Sequence, residues 1–135
     1  NADLGRNEIQ QVLATEAAHP DVRIFSHLQR ADYLNWLATS DVMIGNSSSG
    51  IIEAATFGTP VVNVGKRQML RERNANVADV EPEMETILAT LERTLKHGRH
   101  PAVNIYGDGS AAPRIADLLA TVPLDNNVLE KCCVY

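Results

Sequence analysis

Residues 45–60 read Gly45-Asn-Ser-Ser-Ser-Gly-Ile-Ile-Glu-Ala-Ala-Thr-Phe-Gly-Thr-Pro60 and lie between two short apolar runs, Asp41-Val-Met-Ile44 and Val61-Val-Asn-Val64. The pattern is strand, tight polar turn, short helix, strand. The helix is expected from about Ser49 to Phe57, with Gly58 as its C-cap and Pro60 as the stop. Three consecutive serines and a run of amide N–H groups open it. A helix start has unpaired donors and a positive end, which suits a phosphate. Glu53, about one turn in, is placed to accept two neighbouring hydroxyls such as those of a ribose. The competing reading is plain helix capping by serine, with Glu53 complementing the dipole.

Working outward, Asn7 to Ala18 spaces Ile9, Val12, Leu13 and Ala17 as a helix does. Pro20 and Asp21 end it, and Val22-Arg-Ile-Phe25 reads as a short strand. Ser26 to Arg30 is a connecting loop, and Ala31 to Thr39 a second helix. Val42 to Ile44 and Val61 to Val64 read as buried strands. Gly65 to Asn76 (Gly-Lys-Arg-Gln-Met-Leu-Arg-Glu-Arg-Asn-Ala-Asn) has the composition of a ligand loop. Val77 to Val80 is a further strand. Glu83 to Lys96 is an amphipathic helix carrying Met84, Ile87, Leu88, Leu91 and Leu95, and Ala111 to Ala120 is the last helix, with Ile115, Leu118 and Leu119 on one face.

Short, continuously apolar strands alternating with helices predict an α/β fold, a Rossmann-like parallel sheet with helices on both faces. Ligands of such sheets sit at the carboxyl ends of the strands. Loop 26–30, turn 45–49 and loop 65–76 all follow strands and are expected to converge there. A phosphate-binding turn beside an arginine-rich loop predicts a diphosphate site.

Bulk composition narrows the classes. The 135 residues amount to one domain, with 44% apolar residues and a net charge of −5. That charge argues against a nucleic-acid binder. No apolar stretch approaches the roughly 20 residues that span a bilayer, so no membrane partner is expected. Cys132 and Cys133 are adjacent and near the end of the chain, poorly placed for a disulfide or a metal site. A cytoplasmic location and no metal or cofactor are the expectations.

Three ordered motifs then carry a resemblance: the 45–60 stretch, Asn63-Val-Gly-Lys-Arg-Gln68, and Tyr106-Gly-Asp-Gly-Ser-Ala-Ala-Pro-Arg-Ile115. With the opening Asn1-Ala-Asp-Leu-Gly5, they resemble the UDP-N-acetylglucosamine 2-epimerase family along essentially the whole chain. The resemblance implies a glycosyltransferase-B-like enzyme of two Rossmann-like domains with the UDP-sugar between them. Residues 1–135 would be the C-terminal UDP-binding domain, lacking its first strand and helix and the catalytic N-terminal domain. Non-hydrolysing members typically carry Asp-Ser-Gly-Gly at the turn. Asn46-Ser-Ser-Ser-Gly50 and Gly65-Lys-Arg-Gln68 instead look like the hydrolysing branch, which releases UDP and N-acetylmannosamine for sialic-acid-type sugars. A non-hydrolysing epimerase, a diacetamido-sugar relative, a glycosyltransferase of the same architecture and a non-catalytic binding module are the alternatives.

Residue by residue, the resemblance makes Ser47 and Ser48 the diphosphate serines, Glu53 the ribose carboxylate and Arg67 a phosphate contact. Asn1 falls near the UDP, and Leu28 falls where the family holds uracil. His27 reads as exposed, Arg71 and Arg73 as secondary phosphate candidates, and Gly107 and Gly109 as shaping the turn before the last helix. The family's chemistry, proton abstraction at C2 and anti-elimination of UDP, uses carboxylates and a histidine that map outside this chain. The chain alone is therefore expected to be inactive and, with an uncovered sheet edge, to self-associate or be marginally stable. The full-length enzyme is expected to be a homo-oligomer.

Overall fold

The structure is a computed structural model and describes residues 6–123. Asn1, Cys132 and Cys133 lie outside the described residues. The chain divides into two compact units, residues 1–36 and 37–135.

In the first unit, α1 spans Arg6–Glu16, within two residues of the expected helix. Its apolar stripe is uncovered, with Ile9 and Val12 each 61% exposed. Residues 22–25 do not form the expected strand. A strand needs a neighbour to take its carbonyls. Here the Arg23 guanidinium takes Val22 O at 2.9 Å and, just ahead of the segment, Pro20 O at 2.7 Å, closing a local turn instead. The Phe25 and Trp36 rings meet at 5.8 Å between centroids. The second helix, α2, spans Arg30–Thr39.

The second unit holds a three-stranded sheet in the order β1 (Met43–Gly45), β2 (Val61–Val64), β3 (Val77–Val80). All pairing is parallel: Met43 lies opposite Val61, and Val61 opposite Val77. The helix α3 covers Ser48–Ile52, a 3₁₀ turn follows at Ala54–Phe57, α4 spans Met84–His97 and α5 spans Ala111–Thr121. The single helix expected over 49–57 is thus broken at Glu53.

β2 is the axis of the core. Val61 and Val62 are buried, together with Ile51, Ala54, Ala55 and Leu37. Gly50 lets α3 lie on the Val61 face, since a Cβ there would come within 2.9 Å of Val61 Cγ1. Val62 points to the opposite face. It is fully buried, and α4, which packs on β2 and β3, is the helix left to cover it. The outer strands differ from the expectation of uniform burial: Ile44 on β1 is 49% exposed.

α4 also turns a different stripe inward than its apolar residues suggest. Thr90 and Thr94 are buried and Ile87 and Leu91 half-buried, while Met84, Leu88 and Leu95 face out. Ile115, Leu118 and Leu119 of α5 are exposed as well.

Candidate functional site

The carboxyl ends of β1 and β2 lead into the two polar loops of the second unit. Ser47 is the N-cap of α3 and extended at φ −72°, ψ 140°; its hydroxyl accepts the Ser49 N–H at 3.3 Å. The capping reading is met by Ser47, which is exposed and gives one lone pair to the cap, while Ser48 is half-buried. A helix of five residues adds little macrodipole, because the effect comes from aligned peptides summed over several turns. What the turn presents to an anion is N–H and hydroxyl donors.

Glu53 sits at the junction of α3 and the 3₁₀ turn, at φ −106°, ψ −37°, with its N–H on Ser49 O at 2.8 Å. Ser49 Oγ donates to Glu53 Oε2 at 2.5 Å, which fixes the direction of a half-buried carboxylate. The break at Glu53 redirects Thr56 N–H to Glu53 O. Side chains take the preceding carbonyls: Asn74 Nδ2 donates to Ile51 O at 3.1 Å and Asn104 Nδ2 to Ile52 O at 2.8 Å.

The arginine-rich loop is anchored from within. Gln68, 5% exposed, donates through Nε2 to Asn46 O at 2.9 Å, tying the loop to the serine turn. Turn 45–49 and loop 65–76 therefore converge. Loop 26–30 belongs to the first unit, where Leu28 is half-buried and His27 exposed.

The four cations of the loop are not equivalent. Arg73 engages Asp79 through Nε at 3.0 Å and Nη2 at 3.2 Å, and Asn63 Nδ2 adds a third bond to that carboxylate at 2.6 Å. Burial alone would raise the Asp79 pKa; the hydrogen bonds from Arg73 and Asn63 outweigh it and hold the carboxyl below its ordinary value. Arg73, a candidate phosphate contact on composition, is thereby committed to Asp79. Lys66 pairs with Glu81 at 3.4 Å on the exposed surface. These two pairs line a cleft of about 310 Å³ with Gly65, Met69 and Val80. Arg67 and Arg71 are exposed, and among the described residues neither forms an ion pair.

Further along, Gly107 and Gly109 have φ of 147° and 83° in the turn before α5, where Asp108 meets Arg114 at 2.6 Å. The Arg114 hydrogen bond holds the Asp108 carboxyl below its usual range. Among the described residues no group of three or more His, Cys, Asp or Glu is clustered as metal ligands.

Four of the six expected site residues, Ser47, Ser48, Glu53 and Arg67, therefore belong to one loop cluster. The sequence reading missed Asn74 and Asn104, and it quoted Gln68 without a role. A buried polar residue inside a charged run leaves no periodicity to betray it.

Comparison with known proteins bears on this cluster. The family described as UDP-N-acetylglucosamine 2-epimerase matches residues 1–120. A Legionella pneumophila protein named UDP-N,N'-diacetylbacillosamine 2-epimerase (hydrolyzing) is 49% identical over 135 residues, all of this chain and 36% of that protein. The Escherichia coli polysialic acid biosynthesis protein P7 is 36% identical over 88 residues, 65% of this chain and 22% of its own length. A Neisseria meningitidis UDP-N-acetylglucosamine 2-epimerase is 26% identical over 122 residues, 88% of this chain and 32% of that protein. The chain thus spans about a third or less of the length of these relatives.

Proposed function

The chain belongs to the UDP-N-acetylglucosamine 2-epimerase family, and we propose that it supplies the UDP-binding site of a hydrolysing member that releases UDP and N-acetylmannosamine. The observation that carries this is the Gln68–Asn46 bond, because it ties the loop segment that includes Arg67 to the serine turn that precedes Glu53. In this reading Ser47, Ser48 and the turn's N–H groups hold the diphosphate. Glu53, steadied by Ser49, accepts the ribose hydroxyls. Arg67 neutralises charge that grows on the diphosphate as UDP leaves, which stabilises the transition state more than the ground state. Asn1 and Leu28 complete the nucleotide contacts in the glycosyltransferase-B-like arrangement.

The proton-transfer groups lie elsewhere in this reading, so the chain alone turns nothing over. The name of the Legionella relative favours a second reading, in which the sugar is a diacetylated one. A place in sialic-acid-type synthesis, a cytoplasmic location and a homo-oligomeric enzyme are parts of the same proposal.

Calorimetry on the full-length protein with UDP, uridine and pyrophosphate tests the site. Glu53→Ala is expected to weaken UDP binding by roughly 1.5–3 kcal/mol, the scale of hydrogen bonds to charged groups, and pyrophosphate binding far less. Equal losses for both would remove the ribose role. Incubating the enzyme with each UDP-sugar and identifying the free sugar separates the two substrates, and a glycosidic product would overturn hydrolysis.

A further inference from the structure

We propose that Asn104 is a positioning residue for Glu53: its side-chain amide straddles the helix break and sets where the carboxylate points. The inference rests on the UDP reading above. A continuous helix would hold Glu53 by its own ladder, but here the ladder stops at that residue. The Asn104 amide nitrogen bonds on both sides of the break, to Ile52 O at 2.8 Å and to Thr56 Oγ1 at 2.8 Å. It is held in turn through its oxygen, which accepts from Asn74 Nδ2 at 3.2 Å and from the Tyr106 N–H at 3.0 Å. Asn74 closes the circuit: its Oδ1 accepts the Ile105 N–H at 2.8 Å and its Nδ2 donates to Ile51 O.

The residue before Glu53 and the residue three beyond it are thus gripped by one planar group carried on a distant segment. Hydrogen-bond strength falls steeply with misalignment, so a small drift of this junction costs the ribose contact. The diphosphate groups, Ser47 and Arg67, are tied instead through Gln68 and feel that drift less. Asn104 is half-buried and Thr56 exposed, so replacing either opens no hole in the core.

The test titrates UDP, uridine and pyrophosphate into the full-length protein carrying Asn104→Ala, Asn104→Asp or Thr56→Val, beside Glu53→Ala. Asn104→Asp keeps the acceptor oxygen, loses the donor and adds a negative charge, whose long-range part added salt screens. Both Asn104 variants are expected to bind UDP and uridine about tenfold more weakly, with pyrophosphate changed less than about twofold. Thr56→Val loses one of the two bonds and shows the same selectivity at smaller amplitude. It carries the test if the Asn104 variants fail to fold. Losses equal across the three ligands, or none, overturn the positioning role. If Glu53→Ala itself spares uridine, the UDP reading falls; if only Glu53→Ala discriminates, this inference alone falls.

Discussion

The serine turn and the arginine-rich loop follow neighbouring strands of one sheet and end beside each other, yet they are built on opposite principles. The turn makes its first contacts locally: Ser47 with Ser49, and Ser49 with Glu53, two and four residues apart. The loop is fastened from a distance. Gln68 reaches Asn46 and Asn74 reaches Ile51, 22 and 23 residues back along the chain. The turn offers ligand groups that its own sequence arranges. The loop uses Gln68, Arg73 and Asn74 to hold this region together, whereas among the described residues Arg67 and Arg71 are not so engaged.

The largest test of this contrast is Asn74→Ala. Asn74 is 4% exposed, and its loss strands Ile51 O in the interior and leaves the part-buried Ile105 N–H without its acceptor. An expected destabilisation of about 2–3 kcal/mol follows from one buried group left unpaired and a part-buried bond lost, read as a lower denaturation midpoint at unchanged m-value. A loss below about 0.5 kcal/mol, the level of an ordinary surface change, would show that the loop is not a structural element.

Next in size is Arg67→Ala, for which stability is expected to hold. Affinity for both UDP and pyrophosphate should drop by about 1.5–2 kcal/mol, as for a charge-assisted bond. The loss should shrink as added salt screens the exposed guanidinium. An unchanged pyrophosphate affinity would place Arg67 outside the site.

Arg73→Ala is the smallest and should give the reverse pattern, a loss of stability with pyrophosphate affinity retained. The Asp79 side chain is 51% exposed, so solvent screening limits the effect to about 1 kcal/mol. Asp79 titrates below its ordinary value in the folded protein. Its contribution is therefore fully present above the unfolded carboxylate range and is lost as pH falls through the lower, folded value. Stability curves of the parent and Arg73→Ala should be separated at neutral pH and merge in acid. Parallel curves would mean that Arg73 does not act through Asp79.

The same contrast explains what could be read in the sequence. Local rules sufficed for a serine cap at the helix start, for Gly58 at the end of the 3₁₀ turn with φ 66°, and for the limits of α1, α4 and α5. Composition failed where a partner decides. Residues 22–25 look like a strand but pair with nothing in a ladder. Arg67 and Arg73 are the same residue type in the same loop, and only the carboxylate opposite Asn63 distinguishes them. The break at Glu53 was equally hidden, because the asparagines that take its orphaned carbonyls lie in other segments.

Arg99, in the strap after α4, places one guanidinium on Ser40 O at 3.0 Å, Ala38 O at 2.6 Å, Phe57 O at 2.8 Å and Thr59 Oγ1 at 3.2 Å. Beside it, the His100 N–H reaches Gly58 O at 2.9 Å, at a glycine whose Cβ would strike the His100 carbonyl. These contacts close loops of 40 to 61 residues, and wide loops cost entropy before any bond offsets it. During synthesis the amino-terminal edge of the sheet is therefore made early but fastened late. Until residue 99 has emerged, the carbonyls of Ala38, Ser40 and Phe57 lack this partner, and the edge of the sheet where β1 and β2 begin is tied only when the strap folds back onto it.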